Sequence, residues 1–457
     1  MKGKKSQFVC GNCGAQYPKW LGRCNDCGEW NSLTEENLPD PDDRRNIAPN
    51  TRVAAIRPLP EVAQQTEKRI PSDISELDRV LGGGLVPGSL VLLSGDPGIG
   101  KSTLLLQTLY ALAKKGARVL YASGEESSTQ IRLRAERLDT LHPNILLTNE
   151  NDLEVILAGV KETRPQVLVI DSIQTVFSPR FPSSPGSVTQ IRECTNLLLE
   201  PSKVQGITTF VIGHVTKEGA IAGPKILEHL VDTVLHLEGD TTSGYRILRS
   251  VKNRFGSTGE IGVFAMHGDG LSEVKNPSAL FVEGHRSGIP GAAIAVSMEG
   301  SRPLLVEIQA LVGRSNLAVA RRTVTGIDTN RLAILVAVLE KHGGLHLSQN
   351  DIYASLAGGL KLAEPALDLA LAVAVASSHR EKALAGRFAY FGEVGLAGEI
   401  RPVSHPLPRL LEAQKMGFHR VYLPMRNYKN EKARIDALGE DLQVYPVEHI
   451  REVITLE

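Results

Sequence analysis

The stretch Leu90-Val-Leu-Leu-Ser-Gly95-Asp96-Pro97-Gly98-Ile99-Gly100-Lys101-Ser102-Thr103 decides the fold. An apolar run precedes the glycines and a helical pattern at 103–113 follows them, so the Gly-rich segment lies where a strand passes into a helix. In that setting it reads as a P-loop. Residues 95–103 can curl until several backbone N–H groups converge on one phosphate chain, Lys101 can reach the outer phosphates, and Ser102 can offer its hydroxyl to Mg²⁺. A chance Gly-rich turn would need neither flank. The expected ligands are ATP and Mg²⁺.

Outward from the loop, strand and helix patterns alternate from about residue 68, which predicts an α/β domain with a mainly parallel sheet. Strands are expected at 90–94, 119–123, 167–171, 208–213, 233–237 and 245–252. The third is Val167-Leu-Val-Ile-Asp171, an apolar strand ending in a carboxylate that can hold the Mg²⁺ water shell near Ser102. Ser172 rather than Glu follows it, so the carboxylate that activates water has to come from elsewhere. Tyr121-Ala-Ser-Gly-Glu125-Glu126 ends the strand after the P-loop helix and supplies the best candidate, Glu125, with Glu126 second. The same two acids also suit the first turn of the next helix, where they would favour its dipole.

Four of the five cysteines form two near-copies of one knuckle, Cys10-Gly-Asn-Cys13-Gly14 and Cys24-Asn-Asp-Cys27-Gly28. Each can present two thiolates to a metal, so Cys10, Cys13, Cys24 and Cys27 are expected to hold one tetrahedral Zn²⁺. The competing disulfides are disfavoured in a cytosolic chain. The only tryptophans, Trp20 and Trp30, flank the second knuckle; packing against the ribbon is expected ahead of stacking on a base. Cys194 stands alone in a helical pattern and is expected to be buried and inert. Residues 35–65 are polar and Pro-rich and read as a linker.

The 457 residues carry 51 basic and 51 acidic side chains, so no global field draws in nucleic acid and any polyanion site must be local. The longest apolar stretches, 332–339 and 366–376, fall short of the roughly 20 residues of a membrane span. Met1-Lys-Gly-Lys-Lys lacks an apolar run behind it and does not read as a secretory signal. A cytoplasmic protein is expected, with no membrane partner. A change of texture at 274–283 introduces strands at 292–298 and 304–310 and helices at 330–341 and 365–380, a separate α+β domain.

A resemblance becomes specific with Ile74-Ser-Glu-Leu-Asp78-Arg-Val-Leu-Gly82-Gly83-Gly84-Leu-Val-Pro-Gly88, the P-loop and Ser-Gly-Glu125, which are similar to the RecA/DnaB/KaiC class of ATPases. The Cys₄ ribbon in front and Lys252-Asn253-Arg254-Phe255-Gly256 behind resemble the bacterial RadA (Sms) DNA-repair family over nearly the whole chain. The Lys-Asn-Arg-Phe-Gly run is the most selective element. The resemblance implies a ring, expected to be hexameric, with ATP between subunits. In it Lys252 and Arg254 of one subunit would act on a neighbour's γ-phosphate. It implies that His214 stands where related ATPases keep a polar γ-phosphate sensor, although a satisfied loop histidine fits equally. It further implies contact with single-stranded and branched DNA beside the RecA recombinase, through two loops. Ser178-Pro-Arg180-Phe-Pro-Ser-Ser-Pro-Gly-Ser187 carries Arg180, and Val215-Thr-Lys217-Glu-Gly-Ala-Ile-Ala-Gly-Pro-Lys225 carries Lys217 and Lys225.

Residues 285–457 resemble the proteolytic domain of Lon, through Asp351-Ile-Tyr-Ala-Ser-Leu-Ala-Gly-Gly359, Glu364-Pro365-Ala366 and Phe391-Gly-Glu-Val-Gly-Leu-Ala-Gly-Glu-Ile-Arg401-Pro-Val. That chemistry needs a serine nucleophile and a lysine base, and the matching positions hold Ala366 and Leu407. A ring-forming scaffold is expected, with Arg314, Arg321 and Arg322 available to DNA. The expected division is a zinc ribbon at 1–34, a linker at 35–65, a RecA-like ATPase domain at 66–273 and a Lon-protease-like domain at 274–457. The leading function is an ATP-hydrolysing DNA motor or helicase in recombination repair. Its rivals are a KaiC-like ATP-driven switch and an ATP-dependent protease.

Overall fold

A computed structural model of the chain describes residues 6–10, 15–26, 28–37, 68–214, 226–239, 244–282, 284, 288–317, 319–384, 386–439 and 441–456. It divides into two compact units, Met1–Glu273 and Val274–Glu457. In the first, β1 (Ser6–Cys10), β2 (Gln16–Tyr17) and β3 (Leu33–Asn37) make a small antiparallel ribbon with β1 in the middle.

The rest of that unit runs α1 (Ser75–Leu81), β4 (Leu90–Gly95), α2 (Lys101–Lys114), β5 (Val119–Ser123), α3 (Ser128–Arg137), β6 (Ile145–Thr148), α4 (Leu153–Thr163), β7 (Val167–Asp171), α5 (Val188–Lys203), β8 (Thr208–His214), α6 (Ile226–Leu230), β9 (Thr233–Glu238), β10 (Tyr245–Asn253), β11 (Ile261–His267) and β12 (Gly270–Glu273). Among the described residues the strands form one nine-stranded sheet in the order β12-β11-β10-β9-β4-β8-β7-β5-β6. From β9 to β6 the neighbours are parallel, and β10, β11 and β12 extend the sheet antiparallel.

Every residue of β4, β5 and β7 is buried, as strands covered on both faces must be. Leu104, Leu105, Leu109 and Leu112 of α2 pack on one face with Val91, Leu93, Tyr121 and Val169, while Leu92, Ile170 and Val211 face Ile191, Cys194 and Leu198 of α5 on the other. Cys194 is fully buried, and desolvation pushes its thiol up to about 12, so it stays protonated and inert. The register Gly95↔His214 and Ser123↔Asp171 brings the carboxyl ends of β4, β8, β5 and β7 to one edge, the crevice where open α/β sheets bind ligands.

Two local expectations are corrected. Helix α2 starts at Lys101, earlier than its apolar pattern, because the P-loop backbone passes straight into the first turn. Helix α3 is capped by Ser127 in a capping box with Gln130, so Glu125 and Glu126 precede the cap and are not first-turn residues.

The second unit comprises α7 (Pro277–Val282), β13 (Ala292–Glu299), β14 (Arg302–Arg314), β15 (Arg322–Thr325), α8 (Thr329–Lys341), β16 (Asn350–Leu356), α9 (Asp368–His379), β17 (Phe388–Tyr390), β18 (Glu393–Val394), β19 (Ile400–Arg401), α10 (Pro406–Lys415), β20 (Arg420–Pro424), α11 (Met425–Asp436), β21 (Gln443–Val447) and α12 (Ile450–Leu456). Its mixed sheet is ordered β15-β16-β14-β13-β17-β20-β21, and β13 is buried throughout. Leu410 and Ala413 of α10 and Ile435 of α11 pack against Ile294, Val296 and Leu305. No helix among the described residues is long and apolar enough to cross a membrane.

Candidate active site

The P-loop is held in shape by backbone constraints and by one distant side chain. A Cβ on Gly95 would lie 2.3 Å from the Leu237 carbonyl oxygen, and one on Gly100, at φ +115°, would lie 2.6 Å from Met266 Cε, so neither position accepts another residue. Arg246 of β10, itself buried, donates from Nε to the Ile99 carbonyl at 3.0 Å and braces the crest of the loop. Lys101 is only 4% exposed, and its ammonium donates to the Gly95 carbonyl at 2.7 Å and the Asp96 carbonyl at 2.9 Å. Burial lowers its pKa, while the carboxylates of Asp171, Glu125 and Asp96 oppose that shift. Beneath the loop, His236 Nδ1 lies 3.1 Å from Ser94 Oγ, and burial keeps this imidazole toward its neutral form.

Asp171 is buried at the end of β7, where its carboxylate accepts hydrogen bonds from the Tyr121 hydroxyl and from Ser102. Desolvation raises its pKa, the two hydrogen bonds lower it and Glu125 raises it further. A buried carboxylate bonded to the serine that follows the P-loop lysine is a donor set that suits Mg²⁺. Tyr121, fully buried on β5, fixes the carboxylate from the far side. Replacing Tyr121 with Phe is expected to leave Asp171 short of a donor and to cost about 1–3 kcal/mol in chemical denaturation; an unchanged midpoint would refute the positioning role.

Of the two candidate bases, Glu125 stands in the site. It accepts the Ser172 hydroxyl next to Asp171, and its charge is felt by both Lys101 and Asp171. Glu126 is turned into an ion pair with Arg134 of α3.

Lys252 and Arg254 stand elsewhere. They do not share one strand face: a bulge lies between Ser250 and Lys252, β10 ends at Asn253, and Arg254 lies beyond it. Both cations bind the end of α6 and the turn after it. Lys252 donates to the carbonyls of Glu228 at 2.5 Å and Val231 at 2.9 Å, and Arg254 pairs with Asp232 at 3.3 Å. The other oxygen of Asp232 accepts the Leu90 N–H, which places this cluster at the start of β4, whereas the P-loop leaves its end. Five residues of strand separate the two, about 16 Å. Asn253 is structural, donating to the Leu81 carbonyl behind α1 at 3.2 Å.

Arg180 is tied to Glu154 at 2.5 Å yet remains mostly exposed. Lys217, Lys225 and the side chain of His214 lie outside the described residues, as do Cys13 and Cys27. Cys10 and Cys24 are buried together with Leu33 and are not in a disulfide. Each opens its knuckle with the same closure, Cys10 N–H to the Ala15 carbonyl at 2.9 Å and Cys24 N–H to the Glu29 carbonyl at 2.8 Å, which fits paired knuckles around Zn²⁺. The packing expected for the tryptophans is corrected. Trp20 and Trp30 are 53% and 67% exposed, because the ribbon is too thin to cover two indoles.

In the second unit Ala366 is fully buried and Leu407 half-buried in the same core, so the nucleophile and base positions of the Lon resemblance are packing positions. Arg322 donates to the Leu347 carbonyl at 3.0 Å and is partly committed, whereas Arg314 and Arg321 are exposed. Tyr121, Arg246 and His236 carry no local sequence signal; only strand pairing brings them to the loop.

Residues 56–220 match the family described as AAA domain, residues 8–35 the rubredoxin metal binding domain and residues 306–427 subunit ChlI of Mg-chelatase. The chain is 49% identical to the DNA repair protein RadA of Listeria monocytogenes over 99% of this chain and 98% of that one. It is also 49% identical to the RadA proteins of Bacillus subtilis, over 93% of each chain, and of Streptococcus pyogenes, over 99% of each. With a P-loop ATPase fold, a zinc ribbon in front and a Lon-like domain behind, the chain belongs to the bacterial RadA family of DNA repair proteins.

Proposed function

We propose that the protein is an ATP-hydrolysing motor that moves on single-stranded DNA and processes branched recombination intermediates alongside the RecA recombinase, as a ring of six subunits. The observation that carries this reading is the split catalytic set. Lys101, Ser102, Asp171 and Glu125 cluster at one edge of the sheet, and Lys252 and Arg254 sit at the other. A site divided in this way is complete only where two subunits meet, and hydrolysis is then coupled to subunit movement.

In the reaction, the N–H groups of residues 98–102 cradle the β- and γ-phosphates and Lys101 exchanges its carbonyl partners for phosphate oxygens. Ser102 and Asp171 are the residues that would hold a Mg²⁺ ion, which would supply positive charge against the phosphate oxygens. Glu125 orients the attacking water in line with the leaving oxygen and accepts its proton. Lys252 and Arg254 of the adjacent subunit stabilise charge on the transferring group. Phosphate contacts to DNA come from Arg180, Lys217 and Lys225, with Arg314 and Arg321 as further cations.

The test offers branched DNA to the wild-type protein and to Lys101→Ala, scoring strand separation and ATP turnover together. Single-stranded DNA is expected to stimulate wild-type turnover, and Lys101→Ala to lower it by at least about a hundredfold and abolish unwinding. Turnover indifferent to DNA would instead favour an ATP-driven switch.

A further inference from the structure

The chain's only tryptophans stand in the ribbon and both are left in solvent. They are not scattered. A Cβ on Gly22 would lie 3.7 Å from Trp20 Cη2 and 3.9 Å from Trp30 Cζ3, so the two indoles converge on a residue that has no side chain to fill the space. Single exposed apolar residues are ordinary. Two large aromatic rings meeting at a glycine, in a ribbon whose buried apolar residues are few, are not.

The surroundings indicate the occupant. Arg23 lies over the Trp30 ring, 5.8 Å from its centre, and its Nε is anchored to the Gly28 carbonyl at 2.8 Å, so a fixed guanidinium stands on one side of that ring. Lys19 and Asn31, next to them in sequence, are exposed and polar. An apolar protein interface would extend beyond the rings into further apolar surface. Isolated aromatic faces edged by polar and cationic groups are what unpaired bases stack on.

We infer that Trp20 and Trp30 form a stacking platform for the unpaired bases of single-stranded DNA, with Arg23 directed at the adjoining phosphate. The inference rests on the reading of the chain as a DNA-acting ATPase. Lys19 and Arg23 are offset by the exposed Asp26 and Glu29, so stacking rather than field carries the contact, and the ribbon's share of binding is weakly dependent on salt.

Because no other tryptophan exists, the tryptophan fluorescence of the full zinc-loaded protein, excited selectively over tyrosine, reports on this platform alone. Titration with oligo(dT) is expected to quench it, and the quench is expected to persist at raised salt. Trp20→Ala and Trp30→Ala are each expected to weaken oligo(dT) binding by about tenfold, a typical loss for one stacked base, while Trp30→Phe retains part of the affinity. Zinc content and circular dichroism check that the variants fold. Anisotropy of a labelled oligo(dT) follows binding through any surface. A rise in anisotropy with unchanged tryptophan fluorescence overturns the platform and leaves the DNA-motor reading standing. No change in either signal overturns both.

Discussion

Mixing Lys101→Ala subunits with Lys252→Ala subunits is expected to restore ATP turnover that neither variant has alone. Lys101 belongs to the loop that cradles phosphate, and no other ammonium stands between the carbonyls of Gly95 and Asp96 among the described residues. Lys252 is anchored at the start of the P-loop strand, on the turn that includes Val231 and Asp232, and the strand's length separates it from its own loop. No side chain reaches across that gap, so any phosphate that Lys252 meets belongs to another subunit. In a closed ring with head-to-tail interfaces, equal random mixing leaves roughly a quarter of the interfaces with both an intact P-loop and an intact Lys252. Lys252→Ala alone should bind a fluorescent ATP analogue normally yet turn over little and move no strand. Differently tagged subunits that purify together and still hydrolyse nothing would end the trans assignment.

What could be read in the sequence and what could not divide along one physical line. The P-loop, the Asp171 strand and the cysteine knuckles are local. A handful of adjacent residues sets each geometry, and the expected strands at 119–123 and 167–171 match β5 and β7. Arg246 and Tyr121 reach the site only because β10 folds back antiparallel on β9 and because β5 lies beside β7, register facts that no short window contains. Two of the strands missing from the expectation are short or half-exposed. Ile145–Thr148 is an edge strand, and Phe388–Tyr390 has three residues, too few for alternation to show. The exposed tryptophans depart from a rule that holds for thick domains, where large rings go inside. Lys252 and Arg254 were legible as cations, yet their distance from the P-loop emerged only from the side chain of Asp232 reaching back to Leu90.

Removing Arg409 is expected to destabilise the second unit more than any other single side-chain change there. Its guanidinium is fully buried on α10, donating to the Val296 carbonyl at 2.6 Å and through Nε to the Ser404 carbonyl at 3.0 Å, and it pairs with Glu364 while lying 5.6 Å from the centre of the Phe391 ring. The Glu364 carboxylate also accepts the Ser297 hydroxyl at 2.7 Å and the Met298 N–H at 2.6 Å. One ion pair thus ties β13, the turn before α9 and the start of α10. Glu364 precedes Ala366 by two positions and Arg409 follows Leu407 by two, so a satisfied ion pair flanks both places where the Lon resemblance would put a nucleophile and its base. Arg409→Met strands a carboxylate that is only 17% exposed and should cost about 2–4 kcal/mol, somewhat under the loss for a fully buried pair. Adding Glu364→Gln removes the orphaned charge while keeping an acceptor for Ser297 and Met298, so the double variant should recover at least about 1 kcal/mol of that loss. Hydrogen exchange of the amides in β13 isolates this unit from the ATPase unit. Equal losses in the single and double variants would show that Arg409 matters by its volume and not by its charge.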